Sequence, residues 1–245
     1  MKITFSVVVV SIIVLCNAVY SFDHSYIQLD ELLKTKVVDG MVDYKSIKAD
    51  PSVLTIFLNE VNSISKNEFD SWSEDQQLSM LINLYNAATV KLIIDYYPVK
   101  SIKKIGGIFK GPWKQRLVGL FGESITLNHL EHDIIRKRFT EPRIHFALVC
   151  AAKGCPVLRS QAYLPKKLDM QLAEQAKVFI AESPQKNRFE PDINTLFLSP
   201  IFKWYKVDFE KEAGGLINYL QLYLPKISID VKIRYTDYDW SLNSQ

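Results

Sequence analysis

The longest regular pattern of apolar residues lies in "SEDQQLSMLINLYNAATVKLIIDYYP". Apolar side chains recur at helical spacing on one face, and others cover much of the remaining surface. Ser73 and Gln76 have the spacing of a capping box, and Pro98 ends the pattern. We therefore predict one long and largely buried helix.

Two amides interrupt the apolar surface of this predicted helix. Asn83 and Asn86 lie three residues apart on one flank. A buried amide destabilises a fold unless it finds hydrogen-bond partners. The pair therefore predicts a polar network inside the protein, which either belongs to a functional site or fastens a neighbouring loop.

Shorter patterns predict the remaining elements. Helical spacing is found in "SYIQLDELLKTKVV", "GMVDYKSIKADPSVLTIFLNEVNSI", "NHLEHDIIRKRF", "LPKKLDMQLAEQAKVFIAES" and "GGLINYLQLYLP". Strands are predicted for "RIHFALVC", "NTLFLSPIF" and "KISIDVKIRY". The order of these elements predicts an α/β (α+β) fold, a helix-rich single domain around a small β-sheet over residues 22–245.

The N-terminus has the pattern of a secretory signal peptide. Lys2 precedes the apolar stretch "ITFSVVVVSIIVLC", and small residues follow at Ala18 and Ser21. We predict a signal peptide over residues 1–21 and an exported protein, periplasmic or secreted. The alternative is an uncleaved anchor, for which the segment is short. No second long apolar run follows, so no membrane span is expected after cleavage.

The charge distribution argues against nucleic-acid binding, and the glycine spacing argues against a phosphate-binding loop. The net charge is only +3, and the basic residues are scattered without a nucleic-acid-binding motif. We therefore expect no nucleic-acid partner. Gly106 and Gly107 lack the spacing of a phosphate-binding loop, and no cofactor is expected.

The segment "RIHFALVCAAKGCP" combines a histidine with two cysteines. A thiol nucleophile with a histidine base is one hypothesis. On a regular strand, however, His145 and Cys150 would face opposite sides, about 16 Å apart along the chain. The base would then come from the preceding helix, where His129 and His132 are the candidates.

A disulfide and a metal site are the other two hypotheses for this segment. Cys150 and Cys155 enclose four residues, and Gly154 can help the chain to reverse so that the two sulfurs meet. An exported protein favours such a bridge. A metal site would combine His129, His132, His145 and a cysteine, but the histidines lack the spacing of a known zinc motif. No metal is therefore expected.

Five separate motifs carry a family resemblance. "INLYNA", "LEHDIIRKRF", "RIHFALVCAAKGCPVLR", "LSPIFKWYKVDF" and "YTDYDWSLN" together resemble the domain of unknown function 547 family, over a core of residues 78–243. The family includes exported bacterial proteins, and the resemblance implies no reaction. It implies these motif positions: Asn83, Asn86, Glu131, His132, Arg136, His145, Cys150, Cys155 and Pro156.

These residues support two hypotheses about function. In a thiol-dependent hydrolase or transferase, Cys150 would be the nucleophile, His132 the base and Glu131 its orienting group, while Asn83 or Asn86 would stabilise an oxyanion. The supporting residues would then be His145, Arg136 and Cys155. The alternative is a non-catalytic binding or interaction module with a Cys150–Cys155 disulfide. The sequence does not indicate which partner such a module would bind.

Overall fold

The computed structural model describes residues 21–107 and 111–245. The signal peptide predicted over residues 1–21 therefore lies outside the described residues, apart from Ser21. Within the described ranges, no helix combines the length and the apolar character needed to cross a membrane.

The predicted long helix is confirmed as α5 (Glu74–Tyr96), which runs through the main hydrophobic core. The side chains and backbone of Ser73 and Gln76 form the expected capping box. Every residue from Gln77 to Ile94 except Lys91 is buried, because neighbouring elements cover almost all faces of the helix. Within residues 21–73, four shorter α-helices precede it: α1 (Ile27–Lys36), α2 (Tyr44–Ala49), α3 (Ser52–Ser63) and α4 (Lys66–Asp70).

The helix predicted for "NHLEHDIIRKRF" contains a change of helix type. It consists of α6 (Leu127–His129), a π-helical segment (Leu130–Ile135) and α7 (Arg136–Arg138). Its N-cap is Thr126, whose hydroxyl accepts a hydrogen bond from the His129 backbone N–H. π-Helical turns are rare and frequently occur at functional sites.

The prediction of a strand for "RIHFALVC" is wrong. Ile144–Ala147 form one helical turn, α8, and the chain becomes extended at Leu148. The Asn86 amide group donates to the Ala147 carbonyl and accepts from the Val149 N–H, both at 2.9 Å. One side chain on α5 thus satisfies backbone groups that a neighbouring strand would otherwise pair.

The α+β class is confirmed, with three small sheets in the described ranges instead of one. β1 (Val37–Val38) and β2 (Met41–Val42) form an antiparallel pair, as do β3 (Arg116–Leu120) and β4 (Glu123–Thr126). The third sheet has the order β5-β6-β7. Its strands are β5 (Arg188–Glu190), β6 (Thr195–Leu198) and β7 (Lys232–Tyr235), with β6 and β7 parallel.

A second hydrophobic cluster lies around this third sheet. Phe146, Phe179, Phe202 and Phe209 form its aromatic centre. The helices that contribute to it are α9 (Leu168–Ile180), α10 (Ile201–Trp204), α11 (Lys206–Ala213) and α12 (Leu216–Gln221).

The loop between the two cysteines is fastened to the C-terminal segment. Lys153 and Gly154 donate backbone hydrogen bonds to the carbonyls of Ser241 and Asp239, and Asn243 donates one to Ala151. A Cβ atom on Gly154 would lie 2.8 Å from the Asp239 nitrogen, so this close approach requires glycine. The positions of the two sulfurs therefore depend on residues far along the chain.

Candidate functional site

A cavity of about 620 Å³ opens where the two hydrophobic clusters meet. Its walls combine aromatic side chains with a small number of polar groups and both cysteines, as ligand sites commonly do. The aromatic residues are Tyr85, Trp113, Trp204, Tyr205, Tyr238 and Trp240. The polar and sulfur-bearing residues are Lys114, Asn128, Glu131, His132, His145, Cys150 and Cys155.

His145 and Cys150 both line this cavity, which corrects the prediction that they face opposite sides. That prediction assumed a regular strand, and the helical turn α8 removes the alternation of faces. Within the described residues, however, neither His132 nor His145 is hydrogen-bonded to a cysteine sulfur. The Cys150 sulfur instead lies 3.2 Å from the Tyr238 hydroxyl.

The two cysteines are free thiols, and their sulfurs are 2.8 Å apart. A disulfide bond is about 2.05 Å long, so the bridge considered from the sequence is not formed in this structure. The Cys155 sulfur also accepts the Cys150 backbone N–H at 3.0 Å. This backbone donor stabilises negative charge on Cys155 and identifies Cys150 as the thiol that keeps its proton.

The pKa directions of the pair agree with this assignment. The hydrogen bond to Cys155, together with burial, raises the pKa of Cys150 well above its ordinary value. Burial also raises the pKa of Cys155, but hydrogen bonds from Cys150 and Tyr238 and the charge of Lys186 outweigh it and lower that pKa overall. Cys155 is therefore the better thiolate of the two.

Glu131 projects from the π-helical segment and is buried. Its carboxylate accepts hydrogen bonds from the Tyr205 hydroxyl at 2.6 Å and the Tyr85 hydroxyl at 3.1 Å. The sequence hypothesis made Glu131 the orienting group of His132, but its hydrogen-bond partners are these two tyrosines. Glu131 thus fixes two aromatic walls of the cavity.

Arg136 takes the orienting position beside His132. Its guanidinium lies 2.8 Å from His132 Nδ1, and because arginine only donates, Nδ1 accepts and the ring proton lies on Nε2. The same guanidinium makes a two-point ion pair with Asp208, at 2.7 and 2.9 Å. Arg136 therefore connects His132 to Asp208.

His145 also contacts Asp208, and it does so directly. Its side chain is 2% exposed, and its Nε2 lies 2.7 Å from the Asp208 carboxylate. Its ring stacks on Tyr205 with centroids 3.8 Å apart. Burial raises the pKa of Asp208, but hydrogen bonds from His145 and Arg136 lower it well below its usual range. A charged carboxylate thus holds both cavity histidines, one directly and one through Arg136.

The two asparagines fasten loops and do not line this cavity. Asn83 donates to the Tyr163 carbonyl and accepts from the Tyr163 N–H, both at 2.9 Å. Asn86 holds the Ala147–Val149 backbone in the same way. The sequence left open whether Asn83 and Asn86 belong to a functional site or fasten neighbouring loops. Their hydrogen bonds match the second role.

The sequence interpretation missed Asp208 and three tyrosines. Asp208 and Tyr205 lie in "LSPIFKWYKVDF", Tyr238 lies in "YTDYDWSLN", and Tyr85 lies in "INLYNA". Their only signal was their presence in motifs that were already quoted for the resemblance. No spacing rule connects them to the cysteines, because the chain brings them together only through tertiary packing.

The metal hypothesis has no support in the geometry. In residues 21–107 and 111–245, no three His, Cys, Asp or Glu side chains are grouped as metal ligands. His129 lies about half exposed and pairs with Asp133 on the surface, and unlike His132 and His145 it does not line the cavity.

We expect His145 to make stability depend on pH. Burial lowers its pKa, opposed by the hydrogen bond to Asp208, so the folded value lies below the unfolded value of about 6.5. The unfolded chain then binds a proton that the folded chain does not, and stability falls as the pH drops below about 6.5. Urea unfolding of wild type and His145→Gln at about pH 7 and about pH 5 would measure this, with a smaller decrease in the variant.

His24 is the control for this measurement, because burial lowers its pKa as well. His24→Gln should remove a separate part of the pH dependence. Equal decreases in wild type and His145→Gln would contradict the prediction.

Residues 69–180 match the family model described as "Protein of unknown function, DUF547". No curated protein and no solved structure matches the chain. The matched segment contains α5, the π-helical segment, α8 and both cysteines. Tyr205, Asp208 and Tyr238, which complete the cavity, lie beyond it.

Proposed function

Through residues 69–180 the chain belongs to the DUF547 family of proteins of unknown function, and we propose that its cavity is the active site of a thiol-dependent hydrolase or transferase. The nucleophile in this proposal is Cys155, in place of the Cys150 that the sequence suggested. The observation that carries the proposal is the position of the Cys155 sulfur. It lines the cavity, accepts the Cys150 backbone N–H in a hydrogen bond that stabilises a thiolate, and lies 2.8 Å from the Cys150 sulfur.

Thiolate character is what makes a cysteine nucleophilic. Cys155 gains it from one backbone N–H, one neighbouring thiol and the charge of Lys186. The Lys186 ammonium donates to the Cys155 carbonyl, which keeps this charge close to the sulfur. The site therefore activates its thiol without a histidine in hydrogen-bond contact.

His132 is a hydrogen-bond donor to the substrate in this proposal. Since Arg136 occupies Nδ1, the neutral ring presents its Nε2–H, which is free to donate a hydrogen bond to a substrate oxygen in the cavity. Glu131 acts indirectly, by fixing Tyr85 and Tyr205 in the wall against which a substrate binds. Asp208 and Arg136 hold the two histidine rings in place.

An activated ester tests the nucleophile. On incubation with para-nitrophenyl acetate, we expect acetylation of Cys155, detected by mass spectrometry of peptides from the intact mature protein. Cys155→Ser should lose this adduct, while Cys150→Ser should keep it, because Cys150 supplies a hydrogen bond and not the attacking atom. Acetylation confined to surface lysines in all three proteins would overturn the proposal.

A non-catalytic binding module is the second candidate. The observation that favours it is the set of six aromatic side chains around a cavity of about 620 Å³, which is within the usual size range of ligand pockets. Unreactive cysteines together with saturable quenching of tryptophan fluorescence by a small ligand would support this candidate over an enzyme.

A further inference from the structure

We propose that Cys150 and Cys155 form a redox-active pair that reduces small disulfides bound in the cavity. This inference rests on the proposed function in one respect, since Cys155 is again the attacking thiolate. It adds a second role, that of a resolving cysteine for Cys150, and it names the substrate class.

The distance between the sulfurs is the first support. At 2.8 Å, they need to approach by less than one ångström to reach the bond length of about 2.05 Å. The two residues are five positions apart, and both sulfurs face the same cavity. A disulfide could therefore form here with little movement of the backbone.

The loop between the cysteines supplies the second support. Its backbone is held to the C-terminal segment at Ala151, Lys153 and Gly154. Ala151 has a positive φ of 61°, a conformation that non-glycine residues adopt rarely and that the surrounding structure must maintain. The loop thus keeps the two thiols together in the reduced protein.

The two thiols also differ in burial and in hydrogen bonding, and such a difference suits the two successive steps of thiol–disulfide exchange. Cys155 is buried and accepts the Cys150 backbone N–H, whereas Cys150 is partly exposed and its sulfur lies within hydrogen-bond distance of the Tyr238 hydroxyl and the Cys155 sulfur. In thiol–disulfide exchange, one thiolate attacks first and the second thiol then displaces the substrate. The hydrogen-bond pattern assigns these steps to Cys155 and Cys150 in that order.

The reaction balances with the disulfide as the oxidant. The Cys155 thiolate attacks one sulfur of R–S–S–R, forming a Cys155–S–S–R bond and releasing R–S⁻. Cys150 then attacks the Cys155 sulfur, the Cys155–S–R bond breaks, and the proton of Cys150 passes to a released thiolate. The protein loses two electrons as its disulfide forms, and the substrate gains them as R–SH and R–S⁻.

The cavity walls indicate which disulfides fit. Trp204, Tyr238 and Trp240 pack against one another at tilted angles, with ring centroids 4.6 to 6.0 Å apart, and the Tyr238 hydroxyl lies 3.2 Å from the Cys150 sulfur. Flat apolar groups pack well against such surfaces. We therefore expect small disulfides with aromatic or apolar substituents to react faster than strongly charged ones.

A neutral dipyridyl disulfide is the probe. Reduced full-length protein carrying Cys16→Ser, so that Cys150 and Cys155 are its two thiols, is desalted free of reductant and serves as the parent for the variants. It should release two equivalents of pyridine thiol and end with a Cys150–Cys155 disulfide and no attached pyridine. Cys150→Ser should release one equivalent and retain a mixed disulfide on Cys155. Cys155→Ser should react at least about tenfold more slowly, because the remaining thiol lacks the backbone donor.

The outcomes separate this inference from the proposed function. If wild type retains the mixed disulfide on Cys155, the resolving role of Cys150 is wrong, while Cys155 is still the reactive thiol. If Cys150→Ser carries no adduct and Cys155→Ser carries one, the order of attack is wrong. If acetylation of Cys155 succeeds but no disulfide reacts, the proposed hydrolase or transferase stands and the redox pair is overturned.

Discussion

Replacing Asp208 by alanine is expected to lower the free energy of unfolding by about 3 kcal/mol. The carboxylate accepts from His145 Nε2 and forms a two-point ion pair with Arg136. The His145 side chain is 2% exposed, so water cannot replace the lost acceptor there. The Asp208 side chain itself is 26% exposed, and Arg136 regains part of its hydration.

Urea denaturation at neutral pH measures this loss. Glu212→Ala is the matched control, because Glu212 lies exposed on the same helix, α11, and should change stability by less than about 0.5 kcal/mol. Asp208→Asn keeps an acceptor oxygen but removes the charge, and we expect an intermediate loss. Equal stability of Asp208→Ala and the control would show that the carboxylate does not hold the buried histidine.

The same carboxylate illustrates why the site was only partly predictable. His145 and Asp208 are 63 residues apart, and no local pattern connects them. The sequence did identify the segments that carry Glu131, His132 and the cysteines, because these segments belong to the motifs that carry the family resemblance. It could not determine their pairing, since Glu131 contacts two tyrosines and His132 contacts Arg136.

The helices were the most predictable part of the fold. α5 has a capping box, a terminating proline and apolar residues at helical spacing, and these signals agree with one another. The segment "RIHFALVC" has no such agreement, because an apolar run of this length suits a buried strand or a buried helical turn equally well. Its conformation depends on Asn86 and on the second hydrophobic cluster, both distant in sequence.

The choice between the two cysteines shows a similar limit. Both have apolar or small neighbours in the sequence, and either could be the nucleophile. The difference between them is one backbone N–H, that of Cys150, which points at the Cys155 sulfur. Its direction is set by the loop conformation and by the C-terminal residues that hold the loop, so the sequence around the cysteines does not reveal it.

Replacing Asn86 by alanine is expected to cost about 3 kcal/mol of folding free energy. The side chain is the partner of the Ala147 carbonyl and the Val149 N–H, and its removal leaves both buried groups without that partner. Denaturant unfolding measures the loss, with Asn67→Ala on the exposed surface of α4 as the control. Because this clamp also fixes the chain that leads to Cys150, alkylation of the thiols should change in Asn86→Ala even where the protein is fully folded. Unchanged stability together with unchanged alkylation would mean that the extended segment is held by packing alone.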